Sequence, residues 1–224
     1  MITQWHYGIT AVCVSLITAT ANAEILKVQT LEPDGKAVSQ TVVYAIPLTT
    51  PETVKRGIIK INKTVIDQIN KEFVAPVTII RPGMSVVFPN HDNIRHHVYS
   101  FSPAKIFELP LYKDVTPKPV TFDKAGAVAL GCNIHDWMSA YIFVVDSPFF
   151  GLTNSQGHAE LKMPAGRYEI HIWHPRLKNP DQNKPQIIVM AEGEHAKLEF
   201  GVELKKSFRP VRAPLIGPDG GAYR

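Results

Sequence analysis

The chain has 224 residues, 45% hydrophobic and 20% charged, an ordinary globular composition with room for one or two domains and real cores. The formal net charge is +4, and the basic residues are spread out, with only a small excess at Lys205, Lys206, Arg209 and Arg212. No basic stripe is interleaved with aromatics, which argues against a nucleic-acid partner. Eighteen prolines and fourteen glycines along the chain point to turns and short strands rather than a helical bundle.

The N-terminus reads as a secretory signal. Ile9 to Ala21 is apolar or small, and Ala21-Asn22-Ala23 fits a cleavage site before Glu24. The apolar stretch falls short of the ~20 residues of a spanning helix, so no stable membrane insertion is expected after cleavage. Residues 1–23 carry no Asp, Glu, Lys or Arg, so the mature chain keeps its charge. Cys13 leaves with the signal. The remaining Cys132 is then a single thiol with no internal disulfide partner in an oxidising, periplasmic setting, where it is open to oxidation or intermolecular pairing and metal ligation supplies an explanation for it.

From Glu24 onward, β-type runs dominate. Residues 25–29 alternate, Pro33-Asp34-Gly35 turns, and Thr41 to Ile46 is β-prone. A helix or long loop is expected around Glu52 to Lys63. Strands follow at 77–80, 85–88, 97–101, 120–122, 127–130 and 140–145, separated by Gly and Pro turns. This spacing predicts an all-β fold, a Greek-key β-sandwich over residues 24–146. A second, smaller β-sandwich is expected over 147–206, with a marginal core that leans on its neighbour. Residues 207–224, rich in Pro, Gly and Arg, read as a flexible tail.

The chemistry concentrates in Cys132-Asn133-Ile134-His135-Asp136-Trp137-Met138. A thiolate, an imidazole and a thioether within seven residues are soft and borderline ligands of the kind a mononuclear electron-transfer copper site uses. A strand ending at Cys132 and turning at once presents these groups to one point, and His96, upstream, supplies a fourth. His97 is the alternative ligand. Strand alternation puts His96 and His97 on opposite faces, so only one binds, and alternation alone leaves open which.

These segments resemble the cupredoxins, the small blue copper proteins, most closely those of amicyanin and plastocyanin type. The likeness rests on Asn90 in a turn, His96-His97-Val98 on a strand, and the Cys132-x2-His135-x2-Met138 loop. It covers residues 75–146 well and 24–74 loosely. It implies one copper ion held by His96, Cys132, His135 and Met138, the last as a weak axial ligand. The two-unit arrangement is also similar to exported proteins labelled methylamine-utilisation proteins, whose second unit resembles transthyretin or carboxypeptidase regulatory β-domains. Three residues depart from the pattern. His97 stands where an Asn usually ties the ligand loops together, Asp136 replaces Pro, and Trp137 replaces Phe.

Other candidates carry less. His171 and Trp173 share one face of a strand and His174 the other, which argues against a second metal site. His91 and Asp92 belong to a turn, with Asp92 capping backbone, and His158 and His195 read as surface residues. No Ser-His-Asp order, paired carboxylates or phosphate-binding glycine loop stands out, so no enzyme activity is expected. The expected function is a periplasmic carrier of single electrons between redox protein partners. The alternatives are copper delivery, buffering or sensing, and a metal-free β-sandwich adaptor.

Overall fold

The structure, a computed structural model, describes residues 24–49, 63–179 and 183–207, together with the backbone of 215–216 and 222–223. The expected signal over 1–23, most of the expected helix or loop at 52–63 and most of the expected tail lie outside the described residues.

The chain is all-β. Its strands are β1 (Glu24–Leu31), β2 (Val42–Pro47), β3 (Thr64–Val65), β4 (Gln68–Ile69), β5 (Glu72–Phe73), β6 (Val77–Ile80), β7 (Met84–Val87), β8 (His96–Ser102) and β9 (Lys105–Tyr112). They continue with β10 (Val120–Phe122), β11 (Gly126–Cys132), β12 (Ser139–Val144), β13 (Phe149–Leu152), β14 (His158–Met163), β15 (Gly166–Trp173), β16 (Gln186–Met190), β17 (His195–Gly201), β18 (Leu215–Ile216) and β19 (Ala222–Tyr223).

Two sandwiches result. In the first, the five-stranded sheet β6-β12-β11-β8-β9 accompanies the three-stranded sheet β10-β7-β3. Alternation drives this pairing: on β11, Val128, Leu130 and Cys132 point inward, and they share a core with Ile80, Val86, Phe88, Val98, Phe122 and Ile142. In the second, β14-β1-β17 packs with β13-β2-β15-β16 around Leu26, Val28, Val43, Leu161, Met163, Tyr168 and Ile170.

The second sandwich corrects the expected boundary at residue 146. Residues 24–47 were assigned to the first unit, yet β1 lies between β14 (antiparallel) and β17 (parallel), and β2 lies between β13 and β15. The first sandwich is therefore inserted between the second strand of the other sandwich and its remaining five. The alternation in β1 specifies a half-buried strand, but it does not say which sheet accepts it, and neighbours in sequence are only usually neighbours in space. With β1 and β2 included, the second sandwich has seven strands and a core of its own.

Strand β9 also differs from the expectation, which placed no strand at 105–112. Pro110 reads as a breaker. It is tolerated because β9 is an edge strand and because the ladder with β8 slips there, His96 facing Tyr112 while Val98 faces Leu109.

An aromatic seam joins the sandwiches. Phe143 stacks on Trp173 (ring centroids 4.8 Å apart) and meets Tyr44 at 5.6 Å, with Val42, Val77 and Val145 buried around them.

Candidate metal centre

Two places in the first sandwich converge. His96 opens β8, and Cys132 closes β11, paired across the ladder with Val98. After Cys132 the chain turns at once. The Met138 N–H donates to the His135 carbonyl at 2.9 Å, which closes the loop before β12 begins at Ser139. This tight return places His135 Nδ1 3.7 Å from Cys132 Sγ, and His96 Nδ1 lies 3.7 Å from the same sulfur. The three ligand atoms all fall within 4.8 Å of one another.

That spacing fits a metal ion. Bonds of about 2.0 Å to nitrogen and about 2.3 Å to sulfur, in a near-trigonal plane, set N···S edges of about 3.7 Å. His96 is fully buried, Cys132 is 4% exposed and His135 9% exposed, so His135 lies nearest the surface. Met138 is buried in the same core cluster as Cys132.

Of the two adjacent histidines, the structure brings His96 to the cysteine. The His97 ring turns to the other face, where its Nε2 lies 2.9 Å from Glu108 Oε1, at ion-pair distance but not aligned as a hydrogen bond. Val98 is fully buried, as this register requires, while Phe101 faces outward. The tie that the resemblance assigns to an Asn side chain is made here by backbone: the Asn133 N–H donates to the His97 carbonyl at 3.4 Å.

Asp92 does more than the expected backbone cap. Its Oδ1 accepts the Asn70 N–H at 2.6 Å and its Oδ2 the Lys71 N–H at 2.8 Å. These two residues form the tip of the β4–β5 hairpin, both with positive φ (55° and 60°). The same Oδ2 lies 2.6 Å from His96 Nε2. A carboxylate at Nε2 holds the proton on that nitrogen and leaves Nδ1, the atom facing the sulfur, as a lone pair. Burial pushes the Asp92 carboxyl up, but the hydrogen bonds to His96 and to the Lys71 and Asn70 N–H groups, with the His96 charge, outweigh it and hold the group below the ordinary aspartate range.

The hairpin tip reaches the second ligand loop too. The Trp137 indole N–H donates to the Lys71 carbonyl at 3.1 Å, and its ring packs on His135 with centroids 5.2 Å apart. Asp92, the hairpin tip and Trp137 thus link both ligand loops. Burial lowers the His135 pKa, helped by His96 when that ring is protonated and by the Lys71 charge, and opposed by Asp92, so the ring keeps its lone pair to lower pH than a free histidine. Tyr112 lies beneath, its hydroxyl donating to the Phe88 carbonyl at 2.8 Å and accepting from Gln68 Nε2. The Asp92–His96 spacing of four residues was the available sequence signal. The Lys71–Trp137 contact spans 66 residues and left none.

The remaining histidines lie elsewhere. His171 and Trp173 do share a face: His171 stacks on Tyr44 at 5.0 Å, beside the aromatic seam. His174 is buried, and its Nδ1 accepts the Arg176 N–H at 3.1 Å. Burial, with the Arg176 charge, brings its pKa down to about 4. An unfolded chain takes up this proton near pH 6.5 and the folded one near pH 4, so His174 contributes stability above pH 6.5 that is lost as pH falls toward 4. Thermal melts of wild type and His174→Gln should converge across that window, by on the order of 2 kcal/mol after solvent screening. Parallel pH curves would contradict it.

No protein-family model matches the chain, and a search of curated proteins gives no match. Among solved structures, a copper-containing nitrite reductase from Thermus scotoductus aligns at 23% identity and TM-score 0.36, over 38% of this chain and 23% of that one. An amicyanin variant in its reduced Cu(I) form aligns at 18% identity and TM-score 0.35, over 46% of this chain and 99% of that one. The oxidised state of another amicyanin variant gives 18% identity and TM-score 0.35 over the same shares.

Proposed function

We propose that the chain binds one copper ion through His96 Nδ1, Cys132 Sγ and His135 Nδ1, with Met138 as a weak axial ligand, and carries single electrons between redox proteins of the periplasm. The observation that carries this reading is the buried thiol with two imidazole Nδ1 atoms, each 3.7 Å away. Copper in such a set would supply a reversible Cu(I)/Cu(II) couple. The residues do the rest. Cys132 offers a thiolate that water barely reaches, and His96 is fixed in one tautomer by Asp92. His135 is clamped by Trp137 at the rim. A scaffold held this way on strands and a capped hairpin changes little between oxidation states.

The test is the optical and EPR spectrum of the reduced chain loaded with Cu(II), beside Cys132→Ser. An intense visible thiolate-to-copper band, lost in the variant, supports the proposal. A weakly absorbing wild type would sink it and move the search to Cu(I) delivery, buffering or zinc. Met138→Leu should keep the copper and the visible band while shifting the reduction potential, measured by voltammetry. If it abolishes binding, the axial assignment fails.

A further inference from the structure

A cleft of about 640 Å³ lies between the two sandwiches. It is lined by the 32–40 loop, the His174–Arg176 turn and residues 204–207, together with Val77 and Tyr141. The size is within the range of small-molecule sites, roughly 300–1,000 Å³.

Its charge is one-sided. Lys36, Arg176, Lys205 and Lys206 line it against a single carboxylate, Glu32. None of these four cations pairs with a carboxylate among the described residues. Like charges gathered round a concavity repel one another and concentrate a positive field within it, which a bound anion relieves. Arg176 is held in place: its Nη1 donates to the Lys205 carbonyl at 3.1 Å, leaving other guanidinium N–H groups to donate.

Two uncharged groups add hydrogen-bonding positions. His174 Nδ1 accepts from the Arg176 backbone, so the neutral ring carries its proton on Nε2 and offers a donor. Gln40, also lining the cleft, sits in the left-handed region (φ 60°), and its Oε1 is buried with no donor among the described residues. A non-glycine residue held there together with an unmatched polar atom is a pairing associated with ligand sites. The chain's own C-terminal residues do not match the cleft in charge, because residues 208–224 carry Arg209, Arg212 and Arg224 against Asp219 alone.

We infer that this cleft binds a small anion bearing two or more carboxylate or phosphate groups, at a site separate from the His96–Cys132–His135 centre and independent of what that centre binds.

The experiment is isothermal titration of the purified chain with pyrophosphate and with citrate, at about 0.15 M salt to screen diffuse attraction. Saturable one-site binding is expected with at least one of them. Tighter binding of pyrophosphate identifies a phosphate-bearing ligand, and tighter binding of citrate a polycarboxylate. Lys36→Glu, an exposed position, should weaken it about tenfold or more. Lys27→Glu, an equal charge reversal on β1 outside the cleft, should leave it unchanged. Absence of saturable binding by either probe up to about 1 mM overturns the proposal. Equal weakening by the two reversals overturns it as well, because binding would then follow net charge rather than the cleft.

Discussion

Asp92→Asn should weaken Cu(II) binding by about 10–100-fold while preserving the fold. The variant keeps the size of the side chain but removes the negative charge 2.6 Å from His96 Nε2. That charge favours the more highly charged ion, so Cu(II) should lose more affinity than Cu(I). A tenfold difference between the two losses raises the reduction potential by about 59 mV. Asp92→Ala goes further, because the exposed Asn70 N–H and the part-buried Lys71 N–H lose their acceptor and must turn to water, at a cost of about 1 kcal/mol or less each. It should therefore lower the melting temperature of the metal-free chain more than Asp92→Asn does. Asp67→Asn is the control: Asp67 pairs with the exposed His91, and both copper affinity and potential should stay at wild-type values. Competitive titration with a chelator and voltammetry decide it. If Asp92→Asn matches wild type in both, Asp92 is only a turn cap.

How much of this was legible in the sequence depends on the distance over which each feature is encoded. The Cys132–His135–Met138 loop is local, and its spacing alone placed the sulfur and one imidazole together. His96 needed one further step, the alternation that sends His97 to the opposite face, and the structure agrees. Asp92 was readable only in half. A turn aspartate is explained well enough by capping, and that role is real, but the same carboxylate also holds the His96 ring. Trp137 stood out only as a departure from Phe, and nothing local shows that its indole is tied to a carbonyl 66 positions away. The larger miss, the sheet that takes β1 and β2, has the same cause. A half-buried alternation such as that of Ile25 to Thr30 satisfies either sandwich equally, and the choice is made by the parallel pairing with β17, some 170 residues later.

Phe143→Ala should split one unfolding transition into two. Phe143 is 8% exposed, stacked on Trp173 at 4.8 Å and against Tyr44 at 5.6 Å, and it joins the outer face of β12 to the sheet containing β2 and β15. Among the described residues no strand ladder runs from one sandwich to the other, so side-chain packing at this seam carries most of the coupling. Truncating a buried Phe costs about 3–5 kcal/mol, here lost from the contact between the units rather than from either core. Calorimetry should show a single peak for wild type and two for the variant. Copper then distinguishes them. The proposed ligands all lie in the inserted sandwich, so loading at about a thousandfold excess over Kd should stabilise that unit by about 4 kcal/mol. In wild type the whole transition should move, and in Phe143→Ala only one of the two peaks should. A variant that still melts in one step, shifted entire by copper, would show that the coupling runs instead through the chain segments that cross between the sandwiches, such as the Ser147 hydroxyl that donates to the Ala45 carbonyl at 2.5 Å.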